Sequence, residues 1–424
     1  MLTFKELDES TFEAFASRCP EGSFWQSAPM IRVLKRQPGR IVRTVGLEDG
    51  NAQVVAAALL VGDKVHMGYQ FRVVHGYLVD FSDKDLVALM TKEIISYVRR
   101  LGGLYLVLSP NVVNETIQTR NGEKVSSHEH HPEAVGVLED LGFVHQPFSK
   151  RMSGDSEPEW QYVKYLDGIA DTEGLRKSFD LRARQRIRKS QSYGVELHQA
   201  SPEELPEFTK ITQETAERLH FQGKSLDYYQ KCMEAYGDDA RFVMATVNLP
   251  HYKAYLQERV RKLGQEATEL REKLASIDDD EKNRRRKLNN SLKTVNSQLE
   301  RTERMVDEAD RFRKEADGDV ILLSAALFLI RPQEIVYLES GTYDTYRTFD
   351  SPYLILDSMM RLAVEKGIPK FNFYGVSGCF DGSDGVLKFK EAFQGEVEQL
   401  VGNFVKPVRP LRYKLYKALK AIVR

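Results

Sequence analysis

Two stretches near the middle of the chain, residues 256–277 and 288–309, repeat apolar residues at alternating spacings of four and three positions. This spacing places one apolar seam along each helix, and such a seam needs a partner helix to cover it. The acidic residues 278–280 interrupt the repeat, which favours an antiparallel hairpin over a coiled coil between two chains. Residues 251–317 are therefore predicted to form a two-helix arm.

Short β-rich runs alternate with helical runs on both sides of this arm. Before the arm, strands are predicted over residues 40–46, 54–61 and 105–108, and helices over 85–101 and 132–141. Beyond residue 150 the pattern predicts helices over 205–236 and 352–366, and strands over 240–247, 320–331, 334–341 and 371–376.

The order strand, strand, helix, strand occurs twice, which predicts an α/β (α+β) protein of two related units with mixed sheets. The first unit is predicted to span residues 1–150, and the second residues 151–250 together with 318–405. Residues 406–424 are predicted to form a basic amphipathic C-terminal helix.

Composition restricts the class of protein. Hydrophobic residues make up 42% and charged residues 29% of the chain, as is typical of a soluble globular protein. The longest apolar run, residues 320–330, is about half the length that a membrane-spanning helix needs. The chain opens without a signal-like segment, and Cys19, Cys232 and Cys379 lie far apart, so we expect a cytoplasmic protein with reduced thiols.

The net charge is −1, but the basic residues are clustered. Residues 176–189 hold seven basic side chains and one acid, whereas residues 406–424 hold seven basic side chains and no acid. Each cluster predicts either a phosphate-binding surface or a solvated helix face. The second cluster surrounds an apolar helix face beginning at Pro410, which suits either an anionic membrane surface or docking onto the protein.

Several motifs of common enzymes are absent from the sequence. The chain has no phosphate-binding loop of nucleotide hydrolases, no dinucleotide-binding glycine motif and no serine nucleophile elbow. His128, His130 and His131 lie close together, in a segment predicted to be an exposed loop before a helix, so no metal site is predicted. The sequence implies no cofactor.

The segment that begins at residue 371 carries the most informative pattern. The predicted strand 371–376 carries Tyr374 and Gly375 near its end, and a Gly/Asp-rich loop then leads into a short helix with Phe389 and Lys390. A glycine at a strand end lets a substrate approach the backbone, and an aromatic ring beside a lysine suits a ligand with a flat ring and a negative charge. Alternatively, Phe389 and Phe393 lie in the core while Lys390 faces solvent.

Residues 373–378 (Phe-Tyr-Gly-Val-Ser-Gly) and 387–395 (Leu-Lys-Phe-Lys-Glu-Ala-Phe-Gln-Gly) resemble the signature of the FemABX-type peptidoglycan aminoacyltransferases. Further similarities are residues 24–27 (Phe-Trp-Gln-Ser), the basic helix 181–189 and residues 409–413 (Arg-Pro-Leu-Arg-Tyr). The resemblance implies two GNAT-like acyltransferase units with a hairpin arm like that of seryl-tRNA synthetase. It also implies a monomer that transfers an amino acid from aminoacyl-tRNA to the stem peptide of a peptidoglycan precursor. The acceptor would be lipid II or UDP-MurNAc-peptide, and a lipid-linked acceptor would place the reaction at the inner face of the membrane.

The resemblance also implies roles for residues on the donor side. Phe389 would stack on the terminal adenine of the tRNA, and Lys390 would steady the ester oxygen or the terminal phosphate. The most basic stretch of the arm, Arg284, Arg285, Arg286 and Lys287, would contact tRNA.

On the acceptor side, Lys224 and Tyr228 match a basic residue and a tyrosine that contact the acceptor in a relative. Lys35 is the nearest match to a further phosphate-binding lysine, and Tyr374 and Gly375 complete the expected substrate site. A carboxylate that a relative places in its first unit corresponds here to Ser109, so the sequence identifies no general base.

Two other functions are alternatives to this interpretation. One is a GNAT-like N-acyltransferase with a different acyl donor, and the other is a non-catalytic scaffold that binds tRNA or protein. No Arg/Gln-x-x-Gly-x-Gly/Ala loop is found, which argues against an acyl-CoA donor. The intact pair of Phe389 and Lys390 argues against a scaffold.

Overall fold

The computed structural model describes residues 2–149, 157–219, 221–277, 281–316 and 318–423. Its strands are β1 (Thr3–Glu6), β2 (Ile41–Glu48), β3 (Val54–Val65), β4 (Gly68–Val74), β5 (Gly103–Ser109), β6 (Val113–Arg120), β7 (Glu123–Glu129), β8 (Val144–His145), β9 (Trp160–Tyr165), β10 (Val195–Gln199), β11 (Ala240–Asn248), β12 (Val320–Ile330), β13 (Glu334–Thr342), β14 (Lys370–Gly375), β15 (Glu396–Leu400) and β16 (Phe404–Pro407). Its α-helices are α1 (Glu9–Ala16), α2 (Ala28–Lys35), α3 (Lys84–Arg100), α4 (Glu133–Asp140), α5 (Thr172–Lys177), α6 (Leu181–Ser192), α7 (Leu205–Arg218), α8 (Leu226–Tyr236), α9 (Leu249–Ala275), α10 (Lys282–Glu315), α11 (Ser351–Glu365), α12 (Gly385–Lys390) and α13 (Pro410–Val423). Among the described residues, no helix is both long enough and apolar enough to cross a membrane.

The strands form two mixed sheets. The first has seven described strands in the order β1-β2-β3-β4-β5-β16-β8, and the second has nine in the order β10-β11-β12-β13-β14-β9-β15-β6-β7. Neighbouring strands are antiparallel except for two parallel pairs, β4 with β5 and β13 with β14. Strand β12 lies between two strands, and α7 and α11 pack on it, so it is buried along almost its whole length. This burial explains its continuous apolar sequence.

The two sheets do not follow the predicted borders at residues 150 and 405. Strands β6 and β7, from the first third of the chain, extend the second sheet through the pairing of Val397 with Ile117. Strand β16 returns to the first sheet, where Phe404 pairs with Leu108. Backbone hydrogen bonds between segments far apart in the sequence decide which sheet a strand joins. The predicted borders follow sequence order, so they missed this exchange of strands.

Two local predictions differ from the structure. The stretch predicted as one largely helical segment, 205–236, forms two helices, α7 and α8. The segment predicted as an exposed loop instead contains the end of β7, and there His130 Nε2 lies 2.7 Å from the Thr116 hydroxyl. Within the described ranges, no group of three or more His, Cys, Asp or Glu side chains is placed to hold a metal ion.

The turn between β12 and β13 joins the second unit to the first. The amide Nε2 of Gln333 lies 2.9 to 3.0 Å from three carbonyl oxygens at the end of α1, those of Ala16, Ser17 and Cys19. The buried Arg331 pairs with Glu13 of α1 at 2.7 Å. The two N–H groups of the Gln333 amide thus supply donors for carbonyls at the end of α1, and these contacts fix one unit against the other.

The predicted arm is confirmed as an antiparallel pair of helices, α9 and α10, which pack against each other along their length. Leu256, Leu263 and Ala267 of the first seam are buried, as are Val295 and Ala309 of the second. The predicted interruption at 278–280 lies outside the described residues. At the base of the arm, aromatic contacts such as those of Tyr252 and Phe312 with Phe349 anchor it in the core of the second unit.

Candidate active site

Lys390 lies at the C-terminal end of α12 and is buried, with 4% of its surface exposed. Its Nζ donates hydrogen bonds to the carbonyl oxygens of Gly375 at 2.6 Å and Tyr374 at 3.3 Å, where β14 ends. Burial lowers the pKa of Lys390 to about 7, although the nearby charge of Asp384 favours the protonated form. The structure therefore brings the predicted lysine and strand end together, in a place where the lysine can gain or lose a proton near neutral pH.

The loop between β14 and α12 is held in shape by Asp384. Its Oδ1 accepts a hydrogen bond from the backbone N–H of Val386 at 2.8 Å and so caps α12. Its Oδ2 accepts one from the Ser377 hydroxyl at 2.7 Å. Just after α12, Glu391 accepts the backbone N–H of Gly122 at 2.9 Å, which ties this region to the β6–β7 turn.

The ring of Phe389 is half-buried beside this lysine. It meets the Tyr353 ring edge-on, with 4.9 Å between centres. Phe393 is fully buried and packs against Phe373 and Phe179. The alternative prediction was thus correct for Phe393 as a core residue and wrong for Lys390 as a solvated one, because Lys390 points inward to the backbone of β14.

A second group of charged side chains lies between the two units. The Nζ of Lys224, just before α8, is 5.6 Å from the ring centre of Tyr228. Burial raises the pKa of Glu157 to about 7, against the opposing effects of Lys224 and of Arg72 on β4. Burial likewise raises the pKa of Glu339, on β13, to about 7; Lys224 opposes this shift and Glu157 adds to it. Lys224 therefore faces two carboxyl groups that exchange protons near neutral pH.

Aromatic side chains connect this charged group with the Lys390 loop. The Tyr374 ring lies 5.9 Å from that of Phe24, and Phe24 lies 5.5 Å from Trp25. Trp25 in turn stabilises the ionised form of Glu157. A chain of ring contacts thus leads from the end of β14 to the charged group and uses residues from both units.

The Phe-Trp-Gln-Ser motif also has a structural role. Gln26 lies between β3 and β4, where its Oε1 accepts the N–H of Leu59 at 2.8 Å and its Nε2 donates to the carbonyl of Val74 at 2.6 Å. Ser27 caps α2 by accepting the N–H of Met30. The motif therefore fixes the loop that presents Phe24 and Trp25 to the site.

Much of the basic cluster 176–189 is neutralised inside the protein. Arg176 forms two hydrogen bonds, at 2.7 and 3.0 Å, with Asp357, whose side chain is fully buried. Arg186 and Lys189 both pair with the buried Asp350. These pairs attach α5 and α6 to α11, so three of the cationic side chains have a structural role. Phosphate binding by the cluster stays a prediction.

Other predicted residues lie away from this site. Lys35 pairs with Glu9 at 2.7 Å on the outer surface of α2. Near the arm tip, Arg284 pairs with Glu281 at 3.2 Å and Arg285 donates to the Ile277 carbonyl at 3.2 Å. Within the described ranges, neither Lys35 nor these arginines have a hydrogen bond or ion pair to the site residues, and their proposed contacts with substrates stay predictions.

The sequence patterns did not identify Glu157, Glu339 or Arg72 as site residues. Each belongs to a different segment, and only folding of both units places their charges around Lys224. The sequence predicted that Glu339 belongs to a strand, 334–341, but nothing local distinguished it from a solvent-facing acid. Asn372 was also missed, although it lies directly before the motif 373–378 that carries the resemblance.

A sequence profile described as the FemAB family matches residues 7–421. This chain belongs to the FemAB family. It is 28% identical over 425 residues to a protein of Staphylococcus epidermidis named aminoacyltransferase FemA, covering 99% of this chain and all of that protein. A protein of the same name from Staphylococcus aureus (strain N315) is 29% identical over 426 residues, covering 99% of each chain.

Among solved structures, that of FemX is similar, with a TM-score of 0.73, 20% sequence identity, and coverage of 97% of this chain and 99% of that one. At this level of sequence identity, the structural similarity shows that the two chains share a fold and nothing about function. The predictions of the family and of a mixed α/β fold are therefore confirmed.

Proposed function

We propose that this protein is an aminoacyltransferase that adds an amino acid to the stem peptide of a peptidoglycan precursor and so builds the interpeptide bridge. The FemAB membership and the relatives named aminoacyltransferase FemA support this function. The observation that carries it is Lys390, buried at the end of β14 with a pKa lowered to about 7.

Aminoacyl-tRNA is the proposed donor, and its ester is already activated. The acceptor amine attacks the ester carbonyl carbon, a C–N bond forms, and the C–O bond to the ribose breaks. The amine must lose a proton and the departing ribose oxygen must gain one. A group whose pKa lies near the working pH performs both transfers efficiently.

The hydrogen bonds of Lys390 suit this proton transfer. An ammonium group has three N–H donors, and two of them are used by the carbonyls of Tyr374 and Gly375. The third is left for the ribose oxygen. In the neutral amine the same two N–H groups still bind the carbonyls, and the lone pair takes the place of the third proton. Lys390 therefore changes protonation without losing its position, and Phe389 beside it would stack on the terminal adenine.

The acceptor is lipid II or UDP-MurNAc-peptide, and the charged group between the units suits it. Lys224 and Arg72 supply positive charge for a diphosphate, with Lys35 as a further candidate on the outer surface. Tyr228 lies beside Lys224, and Tyr374 and Gly375 face the reacting centre. The carboxyl groups of Glu157 and Glu339 suit the ammonium group of an acceptor side chain.

The C-terminal helix α13 is the proposed membrane contact. Tyr413 and Tyr416 pack on Tyr105 of β5, with 4.9 and 5.9 Å between ring centres. Leu411 and Leu415, 83% and 52% exposed, face away from the protein among basic residues. An exposed apolar face with surrounding positive charge suits the anionic inner face of the cell membrane, where a monomer would meet a lipid-linked acceptor.

The arm tip, Arg284 to Lys287, is the proposed contact with tRNA, because phosphate backbones attract such basic stretches. The function as a whole is tested with purified protein, labelled aminoacyl-tRNAs, and each acceptor offered in turn. We expect a labelled peptidoglycan precursor that mass spectrometry locates on the stem peptide. Transfer from acyl-CoA instead, or tRNA binding without any transfer, would contradict the proposal.

A further inference from the structure

Asn372 lies within β14 and is buried, with 2% of its surface exposed. Its side-chain Oδ1 accepts the backbone N–H of Tyr374 at 2.8 Å. Tyr374 has a φ of +64°, a left-handed conformation that a bulky side chain rarely adopts. Such a conformation persists only where the surroundings impose it. The hydrogen bond from Tyr374 to Asn372 is one contact that does so.

The orientation of the Asn372 amide is fixed by its other partners. Its Nδ2 donates to Gln161 Oε1 at 2.7 Å and to Glu334 Oε2 at 3.0 Å. Because a carboxylate only accepts and a backbone N–H only donates, the amide has one arrangement that satisfies both neighbours. Glu334 is itself held by Lys370, whose Nζ lies 3.1 Å away.

The left-handed turn at Tyr374 directs two successive carbonyl groups, those of Tyr374 and Gly375, at the Nζ of Lys390. We propose that Asn372 is the positioning residue for Lys390, because it holds Tyr374 in the conformation that supplies both acceptors. A chain of hydrogen bonds and ion pairs thus connects Lys370 and Glu334 to the reacting lysine. The consequence for catalysis rests on the proposed function; the consequence for Lys390 itself does not.

A double-mutant cycle tests this assignment, because glycine adopts a positive φ without help from a neighbour. In the protein with Tyr374, Asn372→Ala should lower kcat on the order of tenfold to a hundredfold, with little change in KM for either substrate. In the Tyr374→Gly background the same substitution should cost less than about threefold. Equal losses in both backgrounds would overturn the proposal, because a role in general stability does not depend on the backbone of residue 374.

Asn114→Ala provides the matched control. Asn114 donates to Gln399 at 3.0 Å in the same sheet, so it loses a similar hydrogen bond without touching the Lys390 loop. Asn114→Ala should leave kcat unchanged relative to its own parent protein, whether that parent carries Tyr374 or Tyr374→Gly.

Nitrogen-15 NMR of the Lys390 Nζ provides a readout that does not need activity. The two carbonyls favour the charged lysine, so Asn372→Ala should lower the Lys390 pKa below its wild-type value, while Asn114→Ala leaves it unchanged. An unchanged Lys390 pKa in Asn372→Ala would refute the positioning role even if aminoacyl transfer is never observed. A shifted pKa without transfer by the wild type would instead count against the proposed function alone.

Discussion

Replacing Lys390 by methionine should change how the stability of the protein depends on pH. Burial lowers the pKa of this lysine from 10.5 to about 7 in the folded protein. In the unfolded chain it keeps its proton up to about pH 10.4. Between these values the unfolded state binds one more proton than the folded state. The free-energy cost of burying the lysine therefore applies in full below its pKa in the folded protein, and it decreases as the pH rises above that value.

The size of this effect follows from proton linkage. One extra proton in the unfolded state makes the free energy of unfolding rise by about 1.4 kcal/mol per pH unit. Relative to Lys390→Met, the wild type should gain about 2 to 3 kcal/mol between pH 7 and 9, and almost nothing below about pH 6. Methionine is chosen because it fills a similar apolar space without a titratable group.

Urea unfolding of both proteins at about pH 6, 7, 8 and 9 measures the difference. Lys388→Met is the matched control, since Lys388 lies on the same helix but is half-exposed. Its stability difference from the wild type should stay constant over this range. A constant difference for Lys390→Met as well would refute the account of a buried lysine that is neutral above about pH 7.

Three further predictions concern the junction, the charged group and the C-terminal helix. Gln333→Ala should lower the free energy of unfolding by about 1 to 3 kcal/mol in urea titrations, because it leaves carbonyls at the end of α1 without their donor. An unchanged free energy of unfolding would show that Gln333 does not stabilise the contact between the two units. Burial raises the pKa of Glu339 from 4.5 to about 7, so the folded state holds a proton that the unfolded state releases. The wild type should therefore lose stability relative to Glu339→Gln as the pH rises through that interval, and a parallel pH profile would refute this. The double substitution Leu411→Ser and Leu415→Ser should weaken sedimentation with vesicles rich in anionic lipid at least several-fold. The control Leu181→Ser, at another exposed leucine, should not weaken it. Equal binding by both variants would exclude α13 as the membrane contact.

The arm was predictable from sequence because its information is local. A seam repeated over 256–277 and 288–309 requires a partner helix, whatever the rest of the chain does. The strand and helix at 371–390 were also predictable, since apolar runs and glycines mark their ends. The resemblance then identified Lys390 and Phe389, which the structure places at a strand end beside a buried backbone turn.

The remaining features depend on contacts between residues far apart in the sequence. Arg176 looked like part of a phosphate-binding surface, but its partner Asp357 lies 181 positions away and is itself fully buried. The exchange of β6, β7 and β16 between the sheets depends on which backbone edges are free after folding. The raised pKa values of Glu157 and Glu339 arise from burial, which no local pattern of acids reveals.

The proposed role of Lys390 is to transfer the proton during aminoacyl transfer. Single-turnover transfer from labelled aminoacyl-tRNA measures this step. With both substrates saturating, Lys390→Met should transfer more slowly by on the order of a hundredfold or more, while its affinity for tRNA matches that of the wild type. Lys388→Met should transfer at the wild-type rate. A Lys390→Met protein that transfers as fast as the wild type would show that Lys390 does not carry this proton.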